Sequence, residues 1–341
     1  MKAKAMQPVL MIPLRRCGSH AIRLRLNFCK EFYSPYPLHI VDFMPLLPLY
    51  GDLAADDRYF QLCTDIIGLQ ALSIVKWDGV SIDPIRFFER IKDKPRSIHT
   101  VAWEILFDAA MAHGANVVMD KSLDNVQDWR ELLTLYPHML FINLVRDPRA
   151  QVSSMNRAII HEFNTALNAN IVLRAHEFTK ELIKDFPSQV LTIRFEDFIQ
   201  EEEITLKKLC GFLQLPFSKA MLDISRSEEA KRISKQSALW ASNHAAPIAA
   251  NIDKFKQELS REEIEQVESI TSEIFDRFGY ERMTAAKDPF DSHVLDRAKT
   301  ESVAKRKLAW EKMREDRPQD FILRKRRSDY IELCKQNLLR R

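Results

Sequence analysis

The chain has 341 residues, of which 46% are hydrophobic, 29% charged and 9% aromatic, with a formal net charge of +3. This is the composition of a soluble globular protein of one large domain or two small ones. Neither G-x-G-x-x-G nor G-x-x-x-x-G-K-[ST] occurs, which excludes the usual dinucleotide and nucleoside-triphosphate fingerprints, and the five scattered cysteines never form C-x-x-C, which argues against a disulfide framework or a zinc site.

The amino end carries a short apolar run, residues 8–14, too brief for a signal-peptide core or a membrane span, so it reads as a buried first strand. Elsewhere no apolar stretch approaches eighteen residues, and the expectation is a cytoplasmic chain without a membrane span. Residues 21–31 lack Pro and Gly and place Ile22, Leu26 and Cys29 at helical spacing. A second short strand is expected at 38–41. From 42 to 96 the pattern is irregular, punctuated by Pro45, Pro48, Pro84 and Pro95, as a pocket-shaping stretch would be. A helix over 100–113 ends at Gly114, a third strand covers 116–120, and a helix over 126–136 stops at Pro137. Residues 139–145 (MLFINLV) are apolar without alternation, as in a strand buried on both faces. A helix begins near Arg149, another runs over 168–185, a fifth strand covers 189–195, and helices follow at 202–213 and 261–278. Strands alternating with helices predict an α/β fold, a three-layer αβα arrangement around a parallel sheet of about five strands, with a helical C-terminal extension.

That extension is the basic part of the chain. Residues 297–341 hold 15 Lys/Arg and 7 Asp/Glu, a balance of +8, leaving −5 for the remainder. A cationic tail of this kind contacts an acidic surface or mediates oligomerisation. Equally, Val303, Leu308, Trp310, Met313, Phe321, Ile322 and Leu323 read as residues that dock solvated helices on the main domain. The interleaving of aromatic and basic residues typical of nucleic-acid modules is absent, so no nucleic acid is expected.

In open parallel sheets, ligands gather at the carboxyl ends of the strands, where helix amino-termini aim free N–H groups at anions. Two such junctions are suited to it. In P-L-R-R-C-G-S-H (13–20), Gly18 permits a tight turn, Ser19 can cap the helix, and Arg16 adds a fixed charge; the alternative is a capped turn with solvated arginines. In V-R-D-P-R-A-Q-V-S-S-M (145–155), Arg146 follows the buried strand and Ser154 lies eight residues on, so that both can meet one phosphate; the alternative is a structural Arg–Asp pair.

Together these junctions resemble the cofactor site of sulfotransferases that use 3′-phosphoadenosine 5′-phosphosulfate (PAPS). R-C-G-S-H (16–20) stands where that family typically has [RK]-S-G-T-T, and Arg146 with Ser154 matches R-D-P-R-x-x-x-x-S at full spacing. Cys17 replaces a serine, and Ser19-His20 replace two threonines. D-K-S (120–122), R-F-E-D-F (194–198), L-C-G-F-L-Q-L-P (209–216), N-I-D-K-F-K-Q-E-L (251–259, with Phe255 for a tryptophan) and F-G-Y (278–280) resemble later family segments in order. The similarity runs over about residues 8–282, and the tail lies outside it. It implies a P-loop-like sulfotransferase domain over 1–284 and a basic helical extension over 285–341.

The resemblance further implies transfer of a sulfuryl group from PAPS to a hydroxyl-bearing acceptor, with 3′-phosphoadenosine 5′-phosphate (PAP) as product and no metal. Arg15, Arg16, Cys17, Gly18, Ser19 and His20 would hold the 5′ end, Arg146 and Ser154 the 3′-phosphate, and Lys254 would lie in the late nucleotide segment. Arg16 would also stabilise the leaving phosphate and Lys121 orient the sulfuryl group or the acceptor. For the proton acceptor Asp42 comes first, with His39 and His99 as alternatives. Glu196 and Asp197 are expected to fix a loop. Residues 42–96 and 155–180 are expected to line an acceptor pocket suited to a partly apolar compound or the apolar face of a sugar. Two rival readings remain: a nucleotide-dependent kinase, which would need holders for magnesium and a γ-phosphate, and a non-catalytic relative acting through its tail.

Overall fold

The computed structural model describes residues 5–237, 249–285 and 293–340. Five parallel strands form one sheet in the order β2–β3–β1–β4–β5: β1 (Gln7–Ile12), β2 (Phe32–Tyr33), β3 (Val117–Asp120), β4 (Leu140–Val145) and β5 (Val190–Arg194). The central strand buries both faces, as an unbroken apolar run requires. Leu10 and Ile12 enter one core cluster, Val9 and Met11 the other.

The helices in chain order are α1 (Ser19–Leu26), α2 (Asp56–Ala71), α3 (Pro84–Ile91), α4 (Ile98–Ala112), α5 (Trp129–Leu135), α6 (Pro148–Asn156), α7 (Thr165–Asp185), α8 (Phe195–Gln200) and α9 (Glu202–Leu213). They continue with α10 (Glu228–Gln236), α11 (Ala250–Asp253), α12 (Phe255–Glu258), α13 (Arg261–Ile270), α14 (Ser272–Phe278), α15 (His293–Asp316) and α16 (Pro318–Leu339). Ile22 and Leu26 of α1 join Leu206, Leu209 and Leu213 of α9 over one face of the sheet. Leu62 and Ile66 of α2, Val101 and Ile105 of α4 and Val172 of α7 cover the other. The expected αβα architecture with C-terminal helices is what is found.

Three local expectations are corrected. The second strand is Phe32–Tyr33, not 38–41; Ile40–Asp42 form a 3-10 turn instead. His39 takes φ 51°, and the carbonyls of Leu38 and His39 both accept from Arg327 Nη2 at 3.0 Å, so they are not available to a sheet. The stretch 42–96 is largely helical, because its prolines leave the α-helices uninterrupted: Pro45 and Pro48 fall in a 3-10 helix, Met44–Tyr50, Pro84 opens α3, and α2 places Tyr59, Leu62, Cys63 and Ile66 on its buried face. The helix expected over 261–278 is two helices meeting at Thr271.

The tail helices pack on the body, but not through all the residues named above. Val303, Leu308 and Ile322 are exposed. Cys334 and Leu338 of α16 enter the main core instead, and Tyr330 Oη donates to the Asp65 carbonyl at 3.1 Å. A Cβ on Gly68 would lie 2.0 Å from that hydroxyl oxygen, so only glycine lets α16 approach α2 this closely. α15 is tied down by Ser302 and Arg306, each 2.6 Å from the Glu162 carboxylate. The boundary expected at 284/285 falls at the end of the described stretch 249–285, directly before residues 286–292, which lie outside the described residues.

β1 and β4 are neighbours, yet the chain leaves β1 toward β2 at one edge and β4 toward β5 at the other. Their carboxyl ends therefore flank the crevice where such sheets bind ligands.

Candidate functional site

A cavity of about 530 Å³ opens over these two strand ends. The loop after β1 reaches it with two left-handed residues, Arg16 (φ 71°) and Gly18 (φ 86°), before α1 begins. Backbone of this kind brings N–H groups together into an anion-binding concavity. Gly18 is required twice over, since a Cβ there would meet the Phe195 ring at 2.0 to 2.8 Å. Gly18 itself is the residue before the helix, and Ser19 makes no capping bond, contrary to expectation. The Ser19 side chain, buried beside the cavity, is left for other work.

The loop after β4 is built by its own sequence. Asp147 caps α6 by accepting from Arg149 N, Pro148 takes the first helical position, and Arg149 closes an ion pair with Asp147 at 2.7 Å and with Glu268 at 2.5 Å. Glu196 accepts from Asp147 N and from Tyr280 Oη, both at 2.9 Å, so R-F-E-D-F braces this loop as expected. Arg149 is thereby structural and Arg146 faces the cavity.

The two loops are bonded to each other. Arg16 Nε donates to Ser154 Oγ at 3.0 Å, and Arg146 Nη1 donates to the Arg16 carbonyl at 2.9 Å. Arg146 Nη2 reaches the Asn251 carbonyl at 3.2 Å, its guanidinium lies 5.0 Å from the centre of the Phe195 ring, and its Nε is buried without a partner. Neither Arg16 nor Arg146 has an ion-pair partner among the described residues. Burial, then the neighbouring Arg146 and Arg157 charges, lowers the Arg16 pKa to about 10, and burial lowers that of Arg146. Two guanidiniums held together with no ion-pair partner among the described residues are chemically suited to an anion.

Beside them, Lys121 is buried and its Nζ lies 3.0 Å from His20 Nε2. Burial, with Arg23 nearby, lowers the Lys121 pKa to about 7; burial, with Lys121, keeps His20 well below its ordinary value and therefore neutral. Asp120 accepts from both the backbone and the hydroxyl of Ser122, and that hydroxyl accepts from His39 N at 3.1 Å, which hangs the 38–42 turn on the end of β3. Burial pushes the Asp120 carboxyl up to about 6.

His39 and Asp42 both line the cavity, with different surroundings. Asp42 lies between Arg15, at 3.6 Å, and Arg327, at 3.2 Å; Arg15 also pairs with Asp124. The His39 Nδ1 is buried with no hydrogen-bond partner, and burial, then Arg15 and Lys121, holds the imidazole well below its ordinary pKa.

Two named candidates lie elsewhere. His99 is fully buried in α4, 3.6 Å from Asp128 and 3.7 Å from Glu131, away from the cavity lining, because the helix turns it into the core. The Cys17 side chain packs in the apolar cluster under α1, where burial pushes its thiol up to about 11, and Cys17 is not among the residues lining the cavity. Lys254 is at the rim, 3.0 Å from Glu258. Of 155–180, Arg157, Ile159 and Ile160 line the cavity while helix α7 does not, and from 42–96 only Asp42 and Ile74 do. The tail supplies what those segments do not: Trp310, Arg324, Arg327, Ser328 and Ile331 form one wall. The signal for them was present as a basic tail carrying Trp310 within an otherwise acidic chain.

Comparison with known proteins agrees with this geometry. The profile of the Sulfotransferase family matches residues 8–219. Two curated nematode proteins named as candidate protein-tyrosine sulfotransferases, from Caenorhabditis briggsae and Caenorhabditis elegans, are 27% and 29% identical over 93 residues, or 26% of this chain. The match spans about a third of their length, 33% and 36%. Among solved structures, the sulfotransferase domain from the Synechococcus PCC 7002 olefin synthase superposes with a TM-score of 0.57 at 18% identity, over 82% of this chain and 98% of that one. The sulfotransferase domain from the curacin biosynthetic pathway gives 0.54 at 18% identity, over 82% and 99%. At such identities these structures speak to the fold alone.

Proposed function

The chain belongs to the Sulfotransferase family, and from that premise we propose that it transfers a sulfuryl group from PAPS to the hydroxyl of an acceptor, releasing PAP and a proton. The observation that carries this reading is the pair Arg16 and Arg146, two cavity guanidiniums bonded through Ser154 and the loop backbone, neither in an ion pair among the described residues. The donor would supply an activated sulfuryl group and a phosphate leaving group.

In this reading Arg16, with the backbone of Cys17 and Gly18 and the donors of Ser19 and His20, holds the 5′ end, and the Arg16 charge stabilises the phosphate oxygen that departs. Arg146 and Ser154 hold the 3′-phosphate, and Arg15 acts by fixing Asp42 and Asp124 rather than by touching phosphate. Lys254 lies at the rim, where its charge adds to the field that draws the nucleotide in. Lys121, poised near neutrality, places a proton toward the sulfuryl oxygens. His39 takes the acceptor proton, since it is neutral and its Nδ1 is unengaged, whereas the Asp42 carboxylate is held by two arginines. The new oxygen–sulfur bond forms as the bond from sulfur to the phosphate oxygen breaks.

The test is calorimetry with PAP and with ATP, beside transfer of labelled sulfur from PAPS. Tight PAP binding and transfer support the reading. Preference for ATP supports a kinase, and PAP binding with no turnover across an acceptor panel supports a non-catalytic relative.

A further inference from the structure

Charge is divided unequally between the two ends of the cavity. At the end built by β1 and β4, Arg16 and Arg146 have no carboxylate partner among the described residues. At the other end every guanidinium has one: Arg15 pairs with Asp124 and Asp42, Arg327 with Asp42, and Arg324 with Asp320 at 2.8 Å. The same cavity is lined by the apolar side chains of Ile74 after α2, Ile159 and Ile160 after α6, Trp310 of α15 and Ile331 of α16.

We propose that this end receives an uncharged, apolar hydroxyl compound, a phenol or an alcohol with a ring or chain body, and that the α15–α16 pair is the wall that selects it. The inference rests on the sulfotransferase reading above and names its acceptor class. An anionic acceptor entering here would lose its hydration and find each arginine already neutralised. An apolar body gains from covering the isoleucines and the Trp310 ring. The wall is braced for this task. Trp310 packs edge-on against Phe321, with ring centres 5.8 Å apart, and Glu162 ties α15 to the same loop that carries Ile159 and Ile160. Acidic tyrosine peptides and charged glycans are the acceptors this end disfavours.

The experiment needs no turnover. Full-length protein saturated with PAP is titrated calorimetrically with 2-naphthol, with 6-hydroxy-2-naphthoate and with an acidic tyrosine peptide. The neutral naphthol is expected to bind about tenfold or more tightly than its carboxylate analogue and than the peptide. Trp310→Ala and Ile160→Asp are each expected to weaken naphthol about tenfold while PAP affinity stays within about twofold. Ile160 is partly exposed on a loop, so its variant keeps the test open should Trp310→Ala loosen the helices. Equal or tighter binding of the carboxylate or the peptide overturns the proposal, as does wild-type naphthol affinity in both variants. Failure of the wild type to bind PAP overturns the nucleotide reading instead; the naphthol pair titrated into nucleotide-free protein then decides the acceptor class, with the same order of affinities expected.

Discussion

Arg16 Nε and Ser154 Oγ lie 3.0 Å apart although 138 residues separate them in the chain. The bond joins the loop after β1 to the helix after β4. With Arg146 on the Arg16 carbonyl, it sets the spacing of two cationic points at the carboxyl ends of two inner strands.

Replacing Arg16 or Arg146 by Ala is expected to weaken PAP binding at least about tenfold, from the loss of charge-assisted hydrogen bonds of roughly 1.5–3 kcal/mol. Thermal stability should hold or rise, because each variant removes a cation that no carboxylate compensates. Calorimetry and a melting curve on each variant check both halves. Unchanged PAP affinity would remove these residues from the nucleotide site.

Gly18→Ala is expected to lower stability by about 1–3 kcal/mol and to weaken PAP binding, since the new methyl group meets the Phe195 ring while φ stays at 86°. Gly18→Ala with Phe195→Ala should recover only part of the loss, because the backbone strain persists. Chemical denaturation of the two variants measures the difference.

His39→Ala is expected to cut kcat by about 10²–10⁴-fold with little change in PAP affinity. Asp42→Asn should cost less in rate and more in melting temperature, since Arg15 and Arg327 lose a shared carboxylate. Because burial keeps the His39 pKa well below its usual range, kcat should not fall on acidification until well below pH 6.5. The reverse ranking of the two variants would return the proton to Asp42.

What was legible in the sequence followed from local signals. MLFINLV could only be a strand buried on both faces, and Arg146 with Ser154 needed just the strand-to-helix turn to be placed together. The stretch 42–96 misled because its prolines lie in a 3-10 helix (Pro45, Pro48), at the start of α3 (Pro84) or before α4 (Pro95), and a pattern that does not distinguish these places from an α-helix interior reads as irregular. Asp42 was placed after a strand that Arg327, far along the chain, diverts into a turn. His99 looked available because nothing local tells which side of α4 faces the core. The tail's part in the cavity was hidden for the same reason: its apolar residues lack a clean period, and those on the docking face were fixed only by contact with α2.

Lys121 gives a proton-linkage test. Its pKa near 7 in the nucleotide-free protein should rise when anionic PAP binds beside it, so binding at pH 8 should take up about one proton and weaken as pH increases further. Calorimetry in buffers of different ionisation enthalpy measures the uptake, and Lys121→Met should abolish it. Folding carries the opposite signature. With the folded pKa below the unfolded one, the unfolded chain binds the extra proton between about pH 7 and 10.5, so Lys121 makes stability rise across that window, and Lys121→Met should flatten the rise.

Gly68 and Tyr330 fit α16 against α2 with no room for a methyl group, and this seam lies between the stretch that carries the β1 and β4 loops and the one that carries Trp310 and Ile331. One wall of the cavity's apolar end is thus carried by the last two helices, while Ile74, Ile159 and Ile160 of the same end come from the body of the chain. Exchanging the last two helices while keeping a glycine at the seam would redirect which compound is modified and leave the donor chemistry as it was.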